Sequence, residues 1–221
     1  MNPRLMICAA LGVLALAGCA SVPRAADPAA ASVLRCDADG GSSVDCVSRT
    51  AALQATLALQ TERDDRWTLQ GRAVIKTADR GGNVRVEWQQ HGAEAYTVTL
   101  SAPVTRQSWR LEVRDGLATV HGLPDGPVSG PDAPKLLLHA TGWQLPLDQL
   151  RDWLRGKPAP QPFVDTYLYD AATDGRLVGL RQAGWEIRFT PQPGTQLPKR
   201  IDATMDGGNA SVRLIIDAWD R

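Results

Sequence analysis

Few side chains in this sequence stand in a setting that would let them do covalent chemistry, and the cysteines lead them. The chain of 221 residues holds four: Cys8, Cys19, Cys36 and Cys46. Cys19 closes the run Leu16-Ala17-Gly18-Cys19. In this lipobox pattern a thiol is alkylated by diacylglycerol, the chain is cut before it, and the new amine is acylated. Ahead of it lie a short polar start with one positive charge, Arg4, and an uncharged stretch from Leu5 to Ala17. That is the layout of an export signal, and it falls short of the ~20 apolar residues of a membrane-spanning helix. Residues 1–18 therefore read as a signal peptide and Cys19 as the lipidation site. An ordinary secretory signal with a chance cysteine is the competing reading. Each buried methylene adds ~0.8 kcal/mol of membrane affinity, so several acyl chains make a firm anchor.

Cys36 and Cys46 remain in an exported chain, where disulfides persist. They flank a Gly- and Ser-containing loop flexible enough to let them meet, so a disulfide is expected. A metal site is the alternative, although two thiols with no nearby His make a poor zinc set. The three histidines, His91, His121 and His139, are not spaced as ligands. The sequence contains no HExxH, no G-x-S-x-G, no phosphate loop and no dinucleotide fingerprint. We expect no catalytic residues, no metal and no cofactor. The 24 basic residues balance the 24 acidic ones, so nothing global points to nucleic acid.

These residues must be carried by particular elements. Residues 19–47, rich in Ala, Pro, Ser, Asp and Gly, read as a lipid-anchored flexible tether, and residues 48–221 as the folded domain. Ala20 follows the cysteine where an aspartate commonly marks inner-membrane retention, which favours the outer membrane. A helix is expected from about Ser48 to Asp64. The period then changes to two. Val84, Val86 and Trp88, then Tyr96, Val98 and Leu100, then Trp109, Leu111 and Val113 alternate with polar residues between turn signals. Two short helices follow, one within Pro131–Ala140 and one over Leu147–Arg155. Strands resume at Phe163–Asp170, Leu177–Gln182, Trp185–Thr190, Leu197–Met205 and Ala210–Trp219. The fold class is mainly β with a few helices: a single curved antiparallel sheet with one apolar face. Three short helices are too few to fill that face densely, which leaves an apolar hollow under a helical lid.

Seven of the twelve aromatic residues are Trp. Trp88, Trp109 and Trp185 fall on apolar strand phases, and Trp143 and Trp153 lie in the helical insertion. Plain core packing and the walling of a greasy cavity are both open for each of them. Trp offers broad apolar area with few rotatable bonds, which suits a wall that must not collapse. In the connection from Leu100 to Gln107, Pro103 breaks strand pairing and leaves Val104 near a loop tip among polar neighbours. It is either a tucked-in turn residue or an apolar finger aimed at a membrane.

The chain resembles the LolB outer-membrane lipoprotein receptor family. The resemblance rests on Gly71-Arg72-Ala73, on Glu87-Trp88-Gln89-Gln90-His91-Gly92, on the stretch from Thr141-Gly142-Trp143 through Trp153-Leu154-Arg155-Gly156, and on Leu197-Pro198, Asp206-Gly207-Gly208 and Asp217-Ala218-Trp219. It implies a half-open β-barrel of about eleven strands with a helical lid over an apolar cavity. It implies a non-enzymatic monomer, lipid-anchored on the periplasmic face of the outer membrane. Its partners would be a LolA-like periplasmic lipoprotein carrier, the acyl chains of triacylated lipoproteins, and the inner leaflet of the outer membrane. The family's membrane-insertion loop, an Asn-Pro-Leu-Gly type turn, maps onto Ala102-Pro103-Val104-Thr105. Here Val stands for Leu and the Gly is absent. Another lipid-carrying lipoprotein, separable by the identity of copurified lipid, and an assembly subunit with a solid core are the competing readings.

Overall fold

The computed structural model describes residues 33–38, 43–59, 66–171 and 175–220. The signal segment 1–18, Cys19 and the tether before Val33 lie outside the described residues. Among the described residues, twelve strands form one sheet. In chain order they are β1 (Val33–Asp37), β2 (Arg66–Thr77), β3 (Gly81–His91), β4 (Tyr96–Ala102), β5 (Gln107–Arg114), β6 (Leu117–His121), β7 (Val128–Gly130), β8 (Val164–Asp170), β9 (Leu177–Gln182), β10 (Trp185–Pro191), β11 (Pro198–Met205) and β12 (Ala210–Asp220). The helices are α1 (Val44–Ala58), α2 (Ala133–Thr141) and α3 (Leu147–Trp153). The strand order β1-β8-β9-β10-β11-β12-β2-β3-β4-β5-β6-β7 is antiparallel throughout and leaves β1 and β7 as free edges, an open half-barrel.

The alternation read from the sequence is the alternation of the sheet. Trp67, Leu69, Ala73 and Ile75 of β2 are buried, as are Val84 and Trp88 of β3 and Val98 and Leu100 of β4. Strand twist curls the sheet, and a bulge on β12 adds to it. The register slips between Ile216 and Ala218, so Asp217 is the extra residue. It turns outward to accept two hydrogen bonds from Arg72, at 3.0 and 2.8 Å. Gly71 serves the same bend, since a Cβ there would come within 2.5 Å of the Ile215 carbonyl oxygen. This bulge is where Gly71-Arg72-Ala73 meets Asp217-Ala218-Trp219.

Three expectations are corrected at the N-terminal side. The segment 19–47, read as tether, contributes β1 and the first turn of α1. The strand count is twelve, and the additional strand is β1, paired along β8. The helix begins at Val44 rather than Ser48. The cause is covalent: Cys36 of β1 and Cys46 of α1 are joined by a disulfide and both are buried. The bond pins that first helical turn to the sheet. Residues 60–64, the expected helix end, lie outside the described residues. α2 packs on β5, β6 and β7. Its start is fixed by the Asp132 carboxylate, which accepts from the Lys135 N–H at 2.9 Å.

Candidate functional site

Beneath the two later helices lies a pocket whose wall is apolar on every side. Its floor is the concave face of four neighbouring strands: Val212 and Leu214 of β12, Ala73 and Ile75 of β2, Val86 and Trp88 of β3, and Val98 and Leu100 of β4. Its roof is Leu137 of α2, Leu145, Leu147 and Leu150 in and before α3, and Leu154 just after it. As it stands the pocket offers about 50 Å³. Strand alternation puts the floor residues on one face. The spacing of Leu147, Leu150 and Leu154 puts the roof residues on one stripe.

Of the five tryptophans expected to line the hollow, Trp88 does so. Its ring stacks on Tyr96, with centroids 5.0 Å apart, and on Trp67 at 6.0 Å. Its indole N–H donates to Gln90 Oε1 at 2.8 Å. Trp109 and Trp143 instead pack on each other edge to face at 5.8 Å, outside the pocket wall. Trp143 lies over Gly82, where a Cβ would stand 2.9 Å from its ring. Trp185 is buried at the start of β10. Trp153 is the buried end of the lid. Its indole N–H donates to Gln182 Oε1 at 2.8 Å, and that oxygen also accepts from the Ala159 N–H at 3.0 Å. The Gln182 amide nitrogen donates to the carbonyls of Ala159 at 2.8 Å and Pro162 at 2.6 Å. Sequence reasoning passed over Gln182 and Trp67, and it read Leu147, Leu150, Trp153 and Leu154 as one helix face without assigning the leucines to the pocket. For the leucines the signal was present in their helical spacing.

The other side of α3 is held differently. Arg151 donates to the Ala93 carbonyl in the β3–β4 turn and pairs with Asp152 at 3.1 Å. Arg151, Leu147 and Tyr96 also border a surface recess of about 750 Å³, bounded further by the β3–β4 and β5–β6 turns and the start of α2. Leu147 thus walls both the outer recess and the apolar pocket. The Tyr96 hydroxyl is pushed above its usual value, chiefly by burial and then by Asp148. It stays a neutral phenol beside the apolar wall.

At the far rim, β4 and β5 are joined by Pro103-Val104-Thr105-Arg106, with Ala102 paired to Gln107. Val104 stands at this tip, 88% exposed. Arg106, which closes the turn, takes a left-handed φ of 56°.

A one-sided sheet curled around an oily pocket under short helices defines a binding half-barrel. The chain belongs to the LolB family: the model described as "Outer membrane lipoprotein LolB" matches residues 65–219. It is a lipid-anchored outer-membrane lipoprotein of lipoprotein localisation, a non-enzymatic family. The Outer-membrane lipoprotein LolB of Xanthomonas axonopodis pv. citri is 42% identical over 222 residues, covering 95% of this chain and 94% of that one. Its namesake from Xylella fastidiosa is 38% identical over 195 residues, covering 84% and 87%. Among solved structures, the LolA superfamily protein NE2245 from Nitrosomonas europaea superposes with a TM-score of 0.45 at 10% identity, over 78% of this chain and 92% of that one.

Proposed function

We propose that this protein accepts triacylated lipoproteins from a LolA-like periplasmic carrier, shelters their acyl chains under α2 and α3, and releases them into the inner leaflet of the outer membrane. The observation that supports this most is the wholly apolar lining of the pocket, with no polar group to orient a small polar ligand. At about 50 Å³ the pocket is far too small for an acyl chain; ligand sites run from roughly 300 Å³ upward. Acceptance therefore requires the leucine roof to lift. Guest chains then replace the roof's own leucines against the strand floor, so one apolar contact is exchanged for another. Moving acyl chains out of water is strongly favourable, and the bilayer offers more apolar contact than any pocket. Transfer then runs downhill with no bond chemistry.

Val104 would be the finger that meets the membrane. The test loads a periplasmic carrier with labelled lipoprotein, adds the mature protein, and follows cargo onto it and then into vesicles. Val104→Glu should leave acceptance unchanged and slow release by about tenfold, the loss of one apolar side chain from the bilayer. Release at the normal rate would remove Val104 from this role. Failure of cargo to leave the carrier for the unaltered protein would remove the function itself.

A further inference from the structure

A second apolar side chain stands on the same rim as Val104. Phe163 is 81% exposed, immediately before β8. Antiparallel pairing runs unbroken from β8 through β9, β10, β11, β12, β2 and β3 to β4. The start of β8 therefore lies at the same end of the sheet as the end of β4. Phe163 and the β4–β5 tip share that end, and the β3–β4 turn with the recess beside it lies at the other.

The exposure of Phe163 is built in. The chain before it is bolted to the core, because buried Gln182 donates to the Ala159 and Pro162 carbonyls at 2.8 and 2.6 Å. The chain after it enters the sheet at buried Val164. Both flanks of the residue are thereby fixed. Its ring stays at the surface, at the edge of a recess of about 370 Å³ that it shares with Leu57, Pro158 and Pro160.

We infer that Phe163 is a second membrane contact, and that the protein meets the lipid surface along the whole rim bearing Val104 and Phe163. The inference deepens the proposed function and shares its view of which end faces the bilayer. A bilayer is the occupant that fits. The two side chains project from separate loops, with exposed Thr105 and Arg106 beside one and exposed Gln161 two residues before the other. A protein partner needs a contiguous, complementary patch. A lipid interface takes single apolar side chains and leaves their polar neighbours at the headgroups.

The test uses the full lipidated protein in phosphatidylethanolamine–phosphatidylglycerol vesicles. Single nitroxide labels are placed by Phe163→Cys, by Val104→Cys, and by Leu117→Cys as an exposed control at the opposite rim. Cys36 and Cys46 are consumed by their disulfide and do not compete for label. Immersion depth is read from relaxation by oxygen against a water-soluble nickel chelate. The inference expects labels at 163 and 104 to sit about 5–10 Å into the headgroup–acyl boundary, with 117 in water. A label at 163 in water overturns it, whatever 104 does; a label at 163 in lipid with 104 in water keeps Phe163 as a membrane contact but overturns the shared rim and the finger role of Val104. In the delivery assay, Phe163→Glu should slow release by about tenfold and Phe163→Leu by no more than about twofold. Equal rates for Phe163→Glu and the unaltered protein would also overturn it.

Discussion

One amide, Gln182, decides where the lid is fixed. It has no solvent exposure, and its two polar atoms make four hydrogen bonds to Trp153, Ala159 and Pro162. A fully satisfied buried network is rigid, and breaking it strands several groups at once. By contrast, the Arg151 bond to the Ala93 carbonyl is a single exposed contact. The two sides of α3 are thus unequally held. Gln182→Glu tests this, since it keeps the shape and the acceptor oxygen. Its second oxygen would face the two carbonyls that now accept an N–H, and its charge would be buried. We expect a loss of about 2–4 kcal/mol at neutral pH. The sign follows from linkage: burial raises the carboxyl pKa in the folded state, so folding takes up a proton. Part of the loss should therefore return between about pH 7 and about pH 5. Urea unfolding at the two values measures it, and a loss independent of pH would mean the carbonyls had moved away from residue 182. Gln182 was not legible in the sequence, because its partners lie tens of residues away and two of them are backbone carbonyls.

At the scale of elements, the regular strands were readable and the disulfide-bound strand β1 was not. Leu177–Gln182 is the span of β9, and β10, β11 and β12 depart from the alternating runs by a residue or so at an end. Alternation works there because one face is wet and the other dry. β1 shows no such signal: Val33-Leu34-Arg35-Cys36-Asp37 is too short and mixed. It becomes a strand because its backbone pairs with β8 and its Cys36 is tied to α1. The Trp assignments divide for a related reason. Period two shows which face a Trp takes, and helical spacing shows that a stripe exists. Neither shows where the roof settles, and that alone selects Trp88 for the pocket and sends Trp153 to Gln182. The β1–α1 clasp makes its own prediction. Closing a loop of about ten residues restricts the unfolded chain by about 2–3 kcal/mol. Cys36→Ser with Cys46→Ser should lower unfolding free energy by that amount in urea titration. The Trp88 environment, far along the sheet, should keep its fluorescence in the folded state. A folded-state change at Trp88 would mean the clasp shapes the pocket.

For the whole molecule, the economy of a one-sided sheet shows in its tyrosines. The chain has three, and each lies on the concave side near a helix. Tyr96 stacks on Trp88 beside the α3 recess, and Tyr169 shares a hydrogen bond with Thr50 of α1 at 3.2 Å. Tyr167 stacks on Tyr169 at 6.1 Å. Burial raises the pKa of all three, as the leading cause in each case. For Tyr167, hydrogen bonding to Gln54 offsets this in part, and for Tyr169 bonding to Thr50 does the same. The folded state therefore holds the phenol protons more tightly than the unfolded chain, whose tyrosines titrate near the ordinary value of 10.0. Stability from this source is fully present below that value. It falls as pH rises through it, because the unfolded chain then gains by ionising. Absorbance at the phenolate band should show little ionisation near the ordinary tyrosine value while the fold persists. It should then rise cooperatively, together with loss of the tryptophan circular-dichroism signal. Bound acyl chains would lift the roof beside Tyr96 yet keep it dry, so cargo should delay that joint transition to higher pH. A tyrosine that titrated independently at the ordinary value in the cargo-free protein would show that one of these rings already opens to water, and its identity would locate the opening.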